Sequence, residues 1–155
     1  MSEVFFYHLE RQSLEQLLPL LLEKTLERDW RAVVQAVSAE RVESLDKLLW
    51  TWREDNFMPH ARAGDARFAD SAASQPIWLT NSDDRPNDAQ VLFLVDGAMR
   101  DTFDGFERCV SIFDGRDSDA LANARSHWKK LQAAGHALTY WQQNAGGQWE
   151  QQAQA

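Results

Sequence analysis

Val91-Leu92-Phe93-Leu94-Val95 is the stretch of this sequence that decides the fold. It is followed by Asp96-Gly97, a dipeptide typical of a turn. An uninterrupted apolar run of this length is typical of a strand whose two faces are both covered. Strands of that kind belong to parallel sheets with helices on each side, so the stretch predicts the central strand of an α/β domain.

The segments on either side of this strand alternate between helix-like and strand-like patterns. Helix starts are indicated by Ser13, with Gln16 completing a capping box, and by Ser38 and Ser118, while Gly135 is typical of the residue after a helix end. Strand patterns lie at residues 4–9, 30–37, 76–80, 108–113 and 137–141. The alternation predicts one Rossmann-like α/β domain, a mostly parallel sheet with helices on both faces.

We expect this domain to span residues 1–142. Residues 61–74 are small, polar and glycine-bearing, which predicts a mobile connection rather than a strand or helix. Residues 102–106 are expected to form one or two helical turns. The Gln/Ala/Gly-rich segment 143–155 is expected to be a frayed, flexible C-terminal tail.

The charge of the chain limits the function classes. The 155 residues carry a formal net charge of -8, whereas binding of nucleic acid over a whole surface requires clustered Lys and Arg. Direct DNA binding is therefore disfavoured, and an anionic partner must meet a local cationic patch. Cys109 is the single cysteine, so we expect an inert core thiol and a reducing, cytoplasmic location. The apolar stretches are far shorter than the roughly 20 residues that span a bilayer.

Sequence motifs for catalysis are missing. None of the seven glycines begins a phosphate-binding loop of the Walker or dinucleotide type, and the four histidines are scattered without metal-ligand spacing. Asp96 after a strand imitates the magnesium-binding Asp of phosphate-loop enzymes, but a turn is favoured when no such loop is present. We expect no catalytic residue, no cofactor and no metal, and we expect Asp96, Asp114 and Asp117 to be structural.

Residues 48–60, called here the aromatic loop, begin as the apolar end of the second helix and continue past it. Trp50, Trp52, Phe57 and Met58 lie there, before Pro59 prevents a helix from continuing. Large apolar groups in a loop either fold back on their own domain or provide anchors for another protein. Both interpretations stay open from the residues alone.

The last helix carries a local reversal of charge. Arg125 and Lys129 are four residues apart and share a face, Trp128 lies one turn from Arg125, and Lys130 extends the positive strip. One interpretation is a solvated helix face with Trp128 turned into the core. The other is an aromatic surface flanked by cations, which suits a short peptide with carboxylates and an apolar side chain.

Both segments resemble the chi subunit family of bacterial DNA polymerase III. In that family a Trp closes a helix and is followed seven residues later by Phe, an apolar residue, Pro and His, as in Trp50 and Phe57-Met58-Pro59-His60. The family's last helix has the pattern Ala-Arg-x-x-aromatic-Lys, as in residues 124–129. The resemblance implies a non-catalytic replisome adaptor that links the clamp loader, through a small psi subunit, to single-stranded DNA-binding protein.

The resemblance also implies two binding sites. The acidic, Phe-ending C-terminal tail of the single-stranded DNA-binding protein would bind at the last helix, and DNA would be met only indirectly. Leu121 stands where well-studied members carry another Lys, and Lys130 is the candidate to compensate. The residues implied for the tail are Arg125, Trp128, Lys129, Lys130 and Phe113, beside the start of the last strand. The residues implied for psi or another replication protein are Trp50, Phe57, Trp52 and Met58.

A different class of function is left open by the fold type. Rossmann-like folds include small nucleotide- or phosphate-binding enzymes, which hold the ligand with backbone amides at a helix N-terminus. The helix starts at Ser13 and Ser118 are the candidates for such a site, and neither belongs to a recognised phosphate-binding sequence.

Overall fold

The computed structural model describes residues 3–52, 58–68, 70–100, 103 and 105–154. Within them, eight strands form one sheet in the order β3-β4-β2-β5-β6-β1-β7-β8. The strands are β1 (Glu3–Leu9), β2 (Ala32–Gln35), β3 (Ala61–Arg62), β4 (Ile77–Thr80), β5 (Val91–Val95), β6 (Arg108–Asp114), β7 (Ala137–Gln143) and β8 (Trp149–Gln154). The α-helices are α1 (Leu14–Glu27), α2 (Ala39–Thr51) and α3 (Ser118–Ala133).

The central strand lies where the sequence predicted it. β5 pairs in parallel with β2 on one side and β6 on the other, and all five of its residues are buried. Every pairing in the sheet is parallel except that of β7 with β8. The predicted fold class, a mostly parallel α/β sheet, is confirmed.

The helices lie on opposite faces of the sheet. α1 and α2 pack with one group of buried residues, and α3 packs with another. The two faces of a strand alternate along its residues, so in β1 Phe5 and Tyr7 face α1 whereas Val4 and Phe6 face α3. The molecule therefore has two independent helix-covered faces, each of which can carry its own binding surface.

The helix ends largely follow the sequence signals. Ser13 and Gln16 form the predicted capping box of α1, and Ser38 accepts a hydrogen bond as the N-cap of α2. The N-cap of α3 is Asp117 and not Ser118, because the Asp117 carboxylate accepts from the backbone N–H groups of the first turn. Gly135 has a φ of 89°, which the left-handed residue after a helix requires.

Two segments are more ordered than the sequence indicated. Residues 61–74, expected to be a connection without elements, contain β3 and two short 3₁₀ helices at Ala66–Phe68 and Ala72–Ser74. The segment expected as a frayed tail contains β8, which extends the sheet by pairing with β7 through a bulge. The expected helical turns at 102–106 fall partly outside the described residues, and Phe103, Gly105 and Phe106 are not helical.

Candidate functional site

The cations of α3 are exposed and uncompensated. Arg125, Lys129 and Lys130 all lie at the surface, and none of them makes an ion pair with another residue in the described part of the chain. Trp128, one turn from Arg125, is half-buried. In a chain of net charge -8, these side chains form a local surface that attracts anions.

Trp128 belongs to a cluster of rings that connects α3 to the sheet. Its ring centroid is 5.4 Å from that of Phe6 on β1 and 6.0 Å from that of Tyr140 on β7, both in edge-to-face geometry. Tyr140 is in turn 6.0 Å from Phe113 at the end of β6. Phe113 is only 6% exposed, so it supports the cluster from beneath, while Trp128 and Tyr140 present part of their surface to solvent.

Tyr140 is held in place by His8. The Tyr140 hydroxyl lies 2.6 Å from Nδ1 of His8, and Nε2 of His8 lies 3.1 Å from the Glu10 carboxylate. Gly115 packs directly on the His8 ring, where a Cβ would overlap the imidazole, so no larger residue fits there. Burial raises the pKa of Tyr140 to about 12, although the positive charge of Arg125 acts to lower it. The phenol therefore stays protonated near neutral pH, with Arg125 close enough to influence it.

Lys130 lies on the other flank of α3. It follows Arg125 by five residues, which turns it about 140° around the helix axis. Burial and the charge of Lys130 lower the pKa of His127 to about 4, and His127 is 4% exposed. His127 borders a cavity of about 30 Å³ between α3 and the ends of β5 and β6. Arg125 and Trp128 thus lie near Tyr140, whereas Lys129 follows Arg125 by four residues on the same side of the helix.

The aromatic loop divides into buried and exposed side chains. Met58 is 4% exposed and packs in the core under α1 and α2, and Trp52 is half-buried against the same core. Met58 therefore fills part of the core, and its role as an anchor for a partner stays a prediction. Trp50 is 41% exposed. Phe57 lies outside the described residues.

A buried polar group fixes the base of this loop. Nε2 of His60 lies 2.9 Å from the Asp46 carboxylate on α2, and Nδ1 of His60 lies 2.8 Å from the Met58 carbonyl oxygen. Arg62 on β3 approaches the second oxygen of Asp46 at 3.4 Å. The His60 ring is also 4.9 Å from that of Trp50. The contacts tie the end of the loop to α2 and leave Trp50 at the edge of the fixed region.

The acidic residues suspected of metal chemistry have structural partners. Asp96 accepts a hydrogen bond of 2.5 Å from Arg41, and Asp114 accepts from the backbone N–H of Arg116. No group of three His, Cys, Asp or Glu side chains is arranged to hold a metal ion among the described residues. Cys109 is fully buried, and burial raises the pKa of its thiol. This agrees with the inert cysteine that the sequence predicted.

The sequence of this chain is similar to that of a known protein family. The sequence profile described as "DNA polymerase III chi subunit, HolC" matches residues 1–139, which include the aromatic loop, all of α3 and the start of β7. The chain belongs to the DNA polymerase III chi subunit family. A curated protein of Rickettsia prowazekii (strain Madrid E), "Probable DNA polymerase III subunit chi", is 28% identical over 95 residues.

The family assignment supports a role as an accessory subunit in DNA replication. The alignment with the Rickettsia protein covers 61% of this chain and 55% of that protein, so the chain spans about half the length of the curated relative it matches. The helices in the described residues lack the combined length and apolarity of a bilayer-spanning segment.

Sequence reasoning missed two sets of supporting residues. Tyr140 was indicated only as part of the last strand, although the alternation Leu138-Thr139-Tyr140 puts it on the face that carries α3. His8 and the pair of Asp46 with His60 gave no local signal, because their partners lie far away in the sequence. Pairing of β1 with β7 brings His8 to Tyr140, and packing of α2 against the segment that follows it brings Asp46 to His60.

Proposed function

We propose that this protein is a non-catalytic replisome adaptor that binds the acidic C-terminal tail of single-stranded DNA-binding protein at α3. The observation that carries the proposal is the pair Arg125 and Lys129, exposed and without carboxylate partners in the described residues, beside the half-buried rings of Trp128 and Tyr140. Family membership supports the replication context.

The chemistry of the site suits a peptide with carboxylates and a terminal aromatic residue. The Arg125 guanidinium can hold a carboxylate through two parallel N–H···O bonds, and Lys129 adds a second charge on the same side of the helix. The exposed edges of Trp128 and Tyr140 offer an apolar surface for a Phe side chain. Phe113 supports Tyr140 from beneath. Leu121 stands where well-studied members have Lys, so Arg125 and Lys129 would supply most of the attraction for the tail.

A second partner would bind at the aromatic loop. We propose that Trp50, with Phe57 and the partly covered Trp52, docks a psi-like clamp-loader subunit or another replication protein. α2 contacts β3 and β4 near one edge of the sheet, whereas α3 contacts β6 and β7 toward the other. Sites on different edges and opposite faces allow both partners to bind together, as an adaptor requires.

A peptide titration tests the α3 proposal. A labelled peptide with an Asp-rich stretch and a terminal Phe is titrated against the wild type, Arg125→Gln and the matched control Arg28→Gln, whose charge lies on the other face of the sheet. Loss of a charge-assisted hydrogen bond should weaken binding by roughly tenfold or more in Arg125→Gln alone. Binding should also weaken as ionic strength rises.

Two results would contradict the proposal. Equal affinity for the wild type and Arg125→Gln would remove Arg125 from the site. If Arg28→Gln weakens peptide binding as much as Arg125→Gln does, the effect comes from net charge alone. A peptide that lacks the terminal Phe serves as the control for the aromatic contact, and it should bind more weakly than the full peptide.

A further inference from the structure

A second cationic and aromatic site lies on the face of the sheet opposite α3. A cavity of about 200 Å³ opens beneath the C-terminal end of α1, at the amino ends of β1, β5 and β6. Its floor is apolar and is formed by Val91, Phe93 and Val110. The family resemblance assigns no residue to this cavity, and neither candidate site described above includes it.

Three cations converge on the cavity from two separate elements. Lys24 and Arg28 come from the end of α1, and Arg108 comes from the start of β6. Arg108 lies 3.2 Å from the Glu3 carboxylate, whereas Lys24 and Arg28 are exposed and have no carboxylate partner in the described residues. With Glu3 paired to Arg108, the positive charges of Lys24 and Arg28 remain accessible to an anionic ligand at the cavity rim.

Aromatic rings orient the two guanidinium groups. The centre of the Arg28 guanidinium is 5.2 Å from the Trp30 ring centroid, and that of Arg108 is 5.4 Å from the same ring and 4.7 Å from Phe5. A guanidinium packed on a ring keeps its N–H donors at its edge, where they can meet an anion. The negative end of the α1 dipole explains why Lys24 and Arg28 are favoured there, but it does not explain the convergence of Arg108 on the same apolar cavity.

We propose that this cavity binds a phosphate monoester with a small apolar or aromatic body. The phosphate carries close to two negative charges near neutral pH, which matches the two unbalanced cations, and its oxygens match the forked donors of arginine. The apolar floor contacts the body of the ligand. At about 200 Å³ the cavity is smaller than the pockets that enclose drug-sized molecules, so the body is of the size of one ring.

Calorimetric titration with phenyl phosphate tests the proposal, and inorganic phosphate is the comparison probe. Phenyl phosphate should bind at least about tenfold more tightly than inorganic phosphate, because only it fills the apolar floor. Arg28→Gln should weaken the binding of phenyl phosphate by about tenfold or more, whereas Lys47→Gln, on exposed α2 surface, should leave it unchanged. In nitrogen-15 NMR spectra, the indole N–H resonance of Trp30 should shift on addition of phenyl phosphate.

Clear outcomes overturn the inference. Absence of binding at millimolar phenyl phosphate, an affinity that Arg28→Gln does not change, or equal weakening by Arg28→Gln and Lys47→Gln would each do so. Arg28 is exposed, so the variant is expected to fold, and its thermal midpoint is measured alongside. Arg28→Gln should bind the acidic tail peptide normally, which separates this site from the one on α3.

The same titration distinguishes two sources of the ligand. Thymidine monophosphate represents a free nucleotide, and a short oligothymidylate with a 5′-phosphate represents the end of a nucleic acid strand. If either phosphorylated probe binds more tightly than phenyl phosphate, the phosphate monoester is the recognised group and the tighter probe identifies the source of the ligand. If the oligothymidylate without the 5′-phosphate binds as tightly as the phosphorylated one, the phosphate monoester is not what the cavity recognises, and the inference is wrong.

Discussion

The surface of α3 and the aromatic loop after α2 both combine large rings with charged residues, but the fold treats them differently. At α3, Trp128 and Tyr140 lean on Phe6 and Phe113 and remain half-buried, while Arg125 and Lys129 stay in solvent. At the loop, Met58 is drawn into the core and His60 is tied to Asp46, so among the described side chains Trp50 is the most exposed ring.

The difference lies in what supports each group of rings. α3 lies on a sheet face that other aromatic residues already fill, so its Trp128 meets rings beneath it and is left with a free edge. Of the aromatic loop's described side chains, Met58 lies in the core under α1 and α2 and Trp52 packs against that core. Similar composition therefore gives partly exposed rings beside exposed cations in one place and mainly buried side chains in the other.

The largest expected effect tests whether Met58 is core. Met58→Ala should lower the free energy of unfolding by about 2–5 kcal/mol, because it removes a buried side chain and leaves a cavity. Trp50→Ala should cost less than about 1 kcal/mol, because much of the ring is already exposed. Chemical denaturation of both variants measures the two values. A Met58→Ala protein as stable as the wild type would mean that the aromatic loop is an interface and not part of the core.

Acid should destabilise the α3 face through His127. The unfolded chain has a His pKa near 6.5, whereas His127 in the fold has a pKa lowered to about 4 by burial and by Lys130. Between these values the unfolded state binds more protons, so stability is lost as pH falls from about 6.5 to 4, by roughly 3 kcal/mol at most.

His127→Gln isolates this contribution. The stability of the wild type relative to His127→Gln should decline over that pH range and level off below it. Denaturation curves at several pH values give the difference, and a difference that does not change with pH would show that His127 is protonated as easily in the fold as in the unfolded chain.

Asp46 should matter for the loop and not for α3. Asp46→Ala leaves the buried His60 ring without its carboxylate partner and leaves Arg62 with only Glu43, at 4.0 Å, at an expected cost of about 1–3 kcal/mol. The tail peptide should bind this variant as it binds the wild type, provided that the protein is folded. Thermal unfolding and the peptide titration are measured on one sample. Weakened peptide binding in folded protein would mean that the two regions are coupled.

The smallest effect separates the two lysines of α3. Lys129→Gln should weaken the binding free energy of the tail peptide by about 1 kcal/mol or less, as expected for an exposed charge pair. Lys130→Gln should have a smaller effect, because Lys130 lies on the flank of His127, away from Tyr140. Comparison of both variants with Lys47→Gln, on exposed α2 surface, corrects for net charge. An equal or larger effect of Lys130→Gln would extend the site around the helix.

The architecture was largely predictable from the sequence. The run Val91–Val95 predicted a central strand, and the capping box at Ser13 predicted the start of α1, because both depend on neighbours within a few residues. The strand β3 and the strand β8 were missed. β3 is only two residues long, and β8 is rich in Gln, so each is stabilised by the strand beside it and not by its own propensity.

The candidate site was predictable in part for the same reason. Arg125, Trp128 and Lys129 share one side of a helix, and helix geometry alone reveals this. That geometry also places Lys130 about 140° around the helix from Arg125, and its part in the site stays a prediction. Tyr140, His8 and Phe113 come from three different strands, so their contacts with each other depend on the order of strands in the sheet.

The sequence by itself determined the α/β class, the helix that carries the cations and the family to which the chain belongs, because periodicity, caps and motifs are local properties. Only the tertiary structure decided that Met58 is covered while Trp50 is not, that Tyr140 completes the surface of Trp128, and that Phe5, Trp30 and Arg108 enclose a cavity with the end of α1. Burial and convergence depend on residues that are distant in the chain, and packing of the sheet against its helices brings them into contact.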